Sequence, residues 1–373
     1  MGKPALSMKP TGWFQVLWSA ELSVGEVKRI HYFDQEMVAW RDESGEAHVM
    51  SAYCEHLGAH LGYGGTVSGL NIRCPFHGWE WNGKGRNTCI PYQDRPNRTR
   101  RIPSFPVAEL NESIYIWHDL LEREPYFDVP NVFQMWEEDG DVSAADYYRA
   151  YPEGAVFREK LNIHPQYVAE NGVDFAHFKY VHRADDVPRF TRREFNQFSF
   201  RSDFEMWFGK GKESTVMTPD GAMLGTVSAV SCGIGLGFSR FSGPDNMRTF
   251  VSVTPVDDEV SDIRSTTWLD RVPGDDEPGI PDSLRRRMRL ADNQFLADVA
   301  IWEHQRYTSP PGLATAEAQG FRDYREWARK FYPPGELGSG AEEQTAGLEA
   351  TNDVPFDEPP AIDLDKLLGA AER

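Results

Sequence analysis

Cys54-Glu-His56 is followed, after 17 intervening residues, by Cys74-Pro-Phe-His77. This pair of short runs constrains the fold more than anything else in the chain. Each run offers one thiolate and one imidazole, so two loops must be held face to face around a shared inorganic group. Two thiolates and two imidazoles suit a 2Fe–2S cluster in which Cys54 and Cys74 hold one iron and His56 and His77 the other. A structural zinc ion also accepts two cysteines and two histidines. Zinc sites, however, usually pair like with like, as Cys-x-x-Cys and His-x₃₋₅-His. Here each loop contributes one of each, which favours the cluster.

The flanks fit two opposed loops. Gly58 and Gly78 follow the histidines closely, where a tight turn lets backbone N–H groups approach the sulfurs. Gly62, Gly64 and Gly65 mark turns between the loops, and residues 67–73 read as a short strand leading into Cys74. The pattern resembles the N-terminal Rieske domain of the ring-hydroxylating, non-haem iron oxygenases. Respiratory Rieske proteins are a poorer match: they carry an extra cysteine in each loop, where this chain has Ala59 and Phe76.

At 373 residues there is room for two domains, each with a sizeable core. A mean hydropathy of −0.55 is offset by 11 Trp, 14 Tyr and 22 Phe, enough to build large apolar interiors. No run of 18 apolar residues predicts a membrane span, and the first residues lack the apolar stretch of a secretory signal. Cys89 and Cys232 remain after the cluster is served and read as small buried thiols, which fits a reducing cytoplasm. The net charge of −19 argues against nucleic acid as a partner.

Period-two alternation over 13–18, 27–33, 37–40, 48–52 and 113–117 predicts strands, with a hairpin turn at Asp42-Glu-Ser-Gly-Glu. The expected organisation is a tail at 1–10, an all-β cluster domain at 11–122, a second domain at 123–335 and an acidic tail at 336–373. Within the second domain, 166–181 and 283–307 show helical periodicity. The stretch 194–271 alternates as strands, with turns at Pro219-Asp-Gly, Gly243-Pro-Asp-Asn and Val256-Asp-Asp-Glu. The apolar, glycine-spaced run from Ala229 to Phe238 suits a strand passing a bulky ligand, and equally a packed central strand.

A second constellation lies in Glu170-Asn-Gly-Val-Asp174-Phe-Ala-His177-Phe-Lys-Tyr-Val-His182. His177 and His182 stand about 140° apart around an ideal helix, so the helix must end, bend or bulge before His182 if both are to bind one ion. Two histidines and a carboxylate on one face of an iron ion leave positions open for O₂. The carboxylate has to come from elsewhere. Asp298 would share a helix face with Phe295, Ile301 and Trp302, and metal binding would offset the cost of its burial. Asp292 competes, although Arg289 could pair with it.

The run Glu-Asn-x-x-Asp-x-x-His-x₄-His is also the mononuclear-iron motif of the Rieske oxygenases. Asp298-Val-Ala-Ile-Trp302 and the stretch Tyr324 to Tyr332 resemble the bacterial 3-ketosteroid 9α-hydroxylases and the related cholesterol 7-desaturases. The resemblance settles the choice on Asp298. It implies an α+β chain: an N-terminal all-β Rieske domain, then a catalytic domain with a large antiparallel sheet of the helix-grip, START-like kind. It also implies Fe(II) on His177, His182 and Asp298, and electrons from a separate NAD(P)H-dependent reductase, since no dinucleotide fingerprint is visible. A head-to-tail homotrimer is implied as well, with Asp174 joining His177 to His77 of the next chain. The expected reaction is O₂-dependent hydroxylation, or desaturation, of a bulky steroid-like substrate; a smaller aromatic compound is the rival. From other classes come a stand-alone Rieske electron-transfer protein and a zinc-stabilised binding module.

Overall fold

The computed structural model describes residues 6–182, 184–208, 223–243, 246–275, 277 and 279–333. The N-terminal alternation resolves into three small antiparallel sheets. Ser113–His118 is the centre of one, between Gly12–Trp18 and Val107–Leu110. A second runs Val27–Tyr32, Gln35–Arg41, Ala47–Ser51, Ser104–Phe105, and the third runs Thr66–Ser68, Asn71–Arg73, Glu80–Asn82, Asn87–Cys89. The third sheet carries both Cys/His loops. Residues 67–73 are therefore not one strand: Ser68 pairs with Asn71 across a two-residue turn with Gly69 at φ +62°. The turn at Asp42 forms as expected, because the Asp42 carboxylate accepts the backbone N–H groups of Ser44 and Glu46 at 2.9 and 3.0 Å.

The second half is a seven-stranded antiparallel sheet. Ala155–Leu161 crosses to one edge and lies beside the last strand, Ser261–Leu269. The chain then meanders inward from the far edge through Arg189–Phe195, Ser199–Phe208, Met223–Cys232, Leu236–Ser242 and Met247–Pro255. Of the expected turns, Asp257 closes the one after Pro255 by accepting from Glu259 and Val260. Gly243 bonds to Asn246 in another, and Pro219-Asp-Gly lies outside the described residues. Four helices cover one face: α1 (Pro165–Glu170), α2 (His177–Tyr180), α3 (Asp282–Trp302) and α4 (Thr315–Ala328). The helix expected over 166–181 is thus broken between Glu170 and His177, and the one expected over 283–307 stops at Trp302. At the break, Gly172 lies so close to Phe200 that a Cβ would sit 2.9 Å from its ring. Among the described residues, no helix is long and apolar enough to cross a membrane.

Strand alternation decides what each sheet face meets. In Met247–Pro255 and Ser261–Leu269, Val251, Val253 and Ile263 point to the helices and pack with Val299 and Trp302 of α3. The even-numbered residues point the other way. Phe250 and Trp268 join Trp13, Tyr115 and Trp117 of the first sheet in one core, together with Phe133 and Trp136. Polar groups stitch the same face: Trp18 Nε1 donates to Thr266 Oγ1 at 2.9 Å, and Thr254 Oγ1 donates to the Gln15 carbonyl at 2.6 Å. The run from Ala229 to Phe238 belongs to this interface, with Val230, Cys232, Leu236 and Phe238 in the shared core. Its glycines serve a turn at Gly233 and the close approach of Gly235 to the Trp13 carbonyl. The packed reading holds there. Cys232 is buried as expected, but Cys89 is exposed, because it ends a short edge strand.

The segment before Gly12 is held by two buried histidines. The ring of His118 bonds the Pro10 carbonyl at 2.8 Å, and that of His164 bonds the Ser7 carbonyl at 2.9 Å. Burial depresses both to about 4, against an ordinary value of 6.5. Both rings are therefore neutral in the folded chain, and below pH 6.5 the unfolded chain binds more protons. The stability they contribute is complete above 6.5 and is lost as pH falls towards 4, by up to about 3 kcal/mol each. The unfolding free energy should fall over this window. In His164→Gln the fall should be shallower; parallel curves for the two proteins would show that His164 does not contribute.

Candidate metal centres

The two cluster loops are built alike. In the first, Gly58 N–H bonds the Cys54 carbonyl at 2.9 Å and Cys54 N–H bonds the Ala59 carbonyl at 2.9 Å. In the second, Gly78 N–H bonds the Cys74 carbonyl at 3.1 Å and Cys74 N–H bonds the Trp79 carbonyl at 2.8 Å. Each turn needs a glycine in the left-handed region, and Gly58 and Gly78 have φ of +75° and +71°. The loops bring Cys54 and Cys74 together in a buried core with Ile72, Trp79 and Trp81. The rings of His56 and His77 face each other with centroids 4.7 Å apart, and His56 stacks on Trp79 at 4.3 Å.

The donor set fits a two-iron cluster. His77 Nδ1 is buried with no hydrogen-bond partner. The Cys74 thiol is drawn down to about 6, by the neighbouring Cys54 thiol first and then, against burial, by the backbone N–H groups of Phe76 and His77. Cys54 is pushed up by Cys74 and by burial. Two thiols this close, one of them made easier to ionise, suit binding as thiolates to a metal. Among the described residues, two groups of three or more such side chains gather their ligand atoms within 4.8 Å of one another, and these four residues are not among them. A single tetrahedral zinc ion would need its ligand atoms within about 4 Å of each other; two bridged irons spread them further.

His177, His182 and Asp298 do gather in this way. The break after Glu170 and the end of α2 at Tyr180 turn both histidines inward, and α3 crosses the sheet to deliver the carboxylate. His182 Nε2 is 3.2 Å from Asp298 Oδ1, and the two rings lie 5.2 Å apart at 76°. His177 Nε2 is buried and has no partner. Each ring's other nitrogen is occupied: His177 Nδ1 donates to the Asp174 carbonyl at 2.6 Å, and His182 Nδ1 donates to Gln294 Oε1 at 2.8 Å. This leaves both Nε2 atoms beside one carboxylate, a donor set that suits ferrous iron. The other group within 4.8 Å, Asp42, Glu46 and His48, is the hairpin turn already described.

Asp174 sits just before α2 and not one turn along a helix. Its carboxylate accepts the His177 backbone N–H at 3.3 Å and lies 3.7 Å from His177 Nδ1, whose proton goes to the main-chain carbonyl instead. Asp292 stands apart from the group, half-buried and pushed up to about 6 by burial, with Arg158 and not Arg289 as its nearest compensating charge. Gln294 escaped the sequence reading. Its signal was position: it lies four residues before Asp298 and so on the same helix face. Glu170 has a structural partner, since Arg325 of α4 grips its carboxylate at 2.8 and 3.0 Å. A cavity of about 150 Å³ opens between Asp174, His177 and Asp298, walled by Val181, Ile301 and Trp302.

Residues 116–332 match the model of the 3-ketosteroid 9α-hydroxylase C-terminal domain, and residues 12–106 match that of the Rieske 2Fe–2S domain. The chain belongs to this family of Rieske oxygenases. It is 26% identical over 338 residues to the oxygenase component of 3-ketosteroid-9-alpha-monooxygenase from Rhodococcus rhodochrous, covering 86% of this chain and 83% of that protein. It is 28% identical over 349 residues to a cholesterol 7-desaturase of Hemicentrotus pulcherrimus, covering 87% and 70%. Its fold is that of dicamba monooxygenase solved with dicamba, at a TM-score of 0.61, 17% identity and coverage of 88% and 98%. The Rieske oxygenase is an oxidoreductase that carries a 2Fe–2S cluster and a mononuclear iron.

Asp298→Ala should keep the Rieske spectrum and its irons while losing the mononuclear iron. Gln294→Leu, which frees the His182 ring to turn, should weaken iron binding by roughly tenfold or more. Competition with a ferrous chelator measures both. If Asp292→Ala strips the iron and Asp298→Ala does not, the third ligand is misassigned.

Proposed function

We propose that this chain is the terminal oxygenase of a multicomponent monooxygenase, working in the cytoplasm on a steroid-sized alicyclic substrate. Electrons would come from an NAD(P)H-dependent reductase. The observation that carries the reading is the orphaned Nε2 of His177 beside His182 and Asp298, in a chain that also presents the two Cys/His loops. Cys54 and Cys74 would hold one cluster iron, His56 and His77 the other, and His177, His182 and Asp298 the mononuclear iron. When bound, that iron supplies O₂ activation for attack on an unactivated C–H bond. The boundaries at residues 122 and 335 stand as part of the same proposal.

The protein's own groups have distinct tasks. The Asp174 carbonyl and Gln294 fix the ring tautomers so that Nε2 of each histidine is unprotonated. The Asp174 carboxylate, a third exposed, has lone pairs left to accept a ring N–H from His77 of a second copy. A head-to-tail trimer would bring the two centres together in this way, with Phe76, 63% exposed beside His77, entering the neighbour's cavity. That 150 Å³ cavity is too small for a fused-ring substrate. Such a substrate would instead approach past Phe178, which packs on both iron histidines and leads into the cluster of Phe190, Phe204 and Phe241. An aromatic wall of this kind suits an apolar molecule oriented by few polar contacts. The relatives named above act on steroid and sterol nuclei, which supports the class but leaves hydroxylation and desaturation side by side.

The purified protein should be brown and carry about three irons per chain, two in the cluster and one mononuclear. With a surrogate reductase, O₂ uptake should be coupled to a steroid that gains one oxygen or loses two hydrogens, read by mass spectrometry. Asp174→Ala should retain all its iron while turnover falls at least a hundredfold. Tight coupling with a monocyclic aromatic, and with no steroid, would overturn the substrate class; one zinc per chain with little iron would overturn the oxygenase reading itself.

A further inference from the structure

The chain's charge is −19, yet the stretch from Lys84 to Arg101 holds six cations (Lys84, Arg86, Arg95, Arg98, Arg100 and Arg101) against one carboxylate, Asp94. All six cations are exposed. Among the described residues only Arg100 meets an acid, Glu55, at 3.7 Å, and Glu55 is the residue between the cluster ligands Cys54 and His56. This loop is fixed against the cluster and does not merely follow it in sequence. Ile90 is buried in the same core as Cys54 and Cys74. Pro91 lies where a Cβ on Gly78 would come within 2.9 Å of it. Tyr92 accepts the Trp79 indole N–H at 2.7 Å, and Trp79 is the ring on which His56 stacks. The far end is pinned by Arg101, which bridges to Arg86 and bonds the Lys84 carbonyl at 2.9 Å. At the centre, Tyr92 and Leu57 are 61% and 66% exposed. Exposed apolar side chains near a redox group, with an excess of one sign of charge alongside, are how weak and fast electron-transfer contacts are built.

We propose that the loop from Ile90 to Arg101 is the landing surface for an acidic iron–sulfur electron carrier, which reduces the cluster across the Tyr92–Leu57 patch. The inference rests on the oxygenase reading and names the face on which its electron donor docks. One electron leaves the donor's reduced cluster and enters the oxidised cluster between the Cys/His loops; no covalent bond forms or breaks. Over the rest of an acidic chain such a donor is repelled, so the basic loop both attracts it and selects its orientation.

The test uses the intact, metal-loaded chain and a prereduced, acidic plant-type 2Fe–2S ferredoxin as donor. Stopped-flow absorbance gives the bimolecular rate of cluster reduction, and calorimetry gives the dissociation constant. The wild-type rate should fall steeply with ionic strength. The double variant Arg95→Glu/Arg98→Glu should slow reduction and weaken binding at least tenfold at low salt, and the difference should vanish at high salt. Arg95→Gln/Arg98→Gln should fall between, which guards against a folding defect in the reversal. Arg285→Glu on α3 should behave as wild type. Dithionite, which needs no docking, should reduce every variant equally; a protein with no cluster to reduce would defeat the oxygenase reading and not the docking surface. Unchanged ferredoxin kinetics in the double variant would overturn the proposal. So would a changed oligomeric mass with unchanged kinetics, which assigns the loop to a second copy, or faster reduction, which assigns it to an acidic segment of the chain.

Discussion

Leaving a buried ring nitrogen without a partner costs a protein about 1–3 kcal/mol, and this chain does so at both centres, at His77 Nδ1 and at His177 Nε2. Much of the surrounding structure keeps these atoms free and aimed. The second nitrogen of each iron-site histidine is taken by a neutral acceptor, the Asp174 carbonyl or Gln294 Oε1. Burial draws the His177 ring down, but the Asp174 carboxylate, 3.7 Å from Nδ1, and Asp298 hold it above the ordinary imidazole range. Asp298 is the one carboxylate among the three candidate ligands. A ferrous ion held by this set would keep a net positive charge, which favours its reduced state only weakly and leaves positions open for O₂.

Aim requires rigidity, and rigidity comes from the sheet shared by the two halves. The even-numbered residues of its last two strands pack on the first sheet, and the odd-numbered ones carry α3. The strand under Asp298 is thus the strand against Trp13, Trp18 and Tyr32. Movement of the N-terminal unit would have to break the Trp18–Thr266, Gln15–Thr254 and Tyr32–Asp262 hydrogen bonds at once. Within one chain, then, the cluster loops and the two histidines stand on a common frame.

The parts of this arrangement that were legible in the sequence are those whose chemistry is local. Each cluster loop is a six-residue turn with its ligands and its left-handed glycine inside it, so residue type and spacing were enough. The strands of the first sheets and the turns at Asp42 and Asp257 were legible for the same reason. What failed was set by tertiary contact. Residues 166–181 have helical periodicity, but the backbone at Gly172 is pressed against Phe200 of a strand, and the chain unwinds there. Residues 67–73 alternate like one strand because a two-residue turn preserves the alternation on both sides of it. Gln294 is an exposed glutamine on a charged helix, and only the approach of His182 from another element gives it a task. Asp174 was read as the acceptor of the His177 ring proton; the helix break hands that role to its carbonyl and leaves the carboxylate available.

Charge is distributed to match this division of labour. The cluster lies at the tip of a small sheet, with exposed Leu57, Phe76 and Tyr92 near it and the run of arginines to one side. The group of His177, His182 and Asp298 lies under α3, in the more acidic half of the chain. In the proposed trimer the Phe76 and His77 side of the tip would meet the neighbour's Asp174, and the Tyr92 side would stay open to a donor. Entry and exit of the electron would then use different faces of one cluster, so the chain would not have to release its neighbour to be reduced. That economy is open only to a cluster whose two histidines stand at the protein surface on a tip narrow enough to be reached from two directions, and two short loops on a four-stranded sheet provide such a tip.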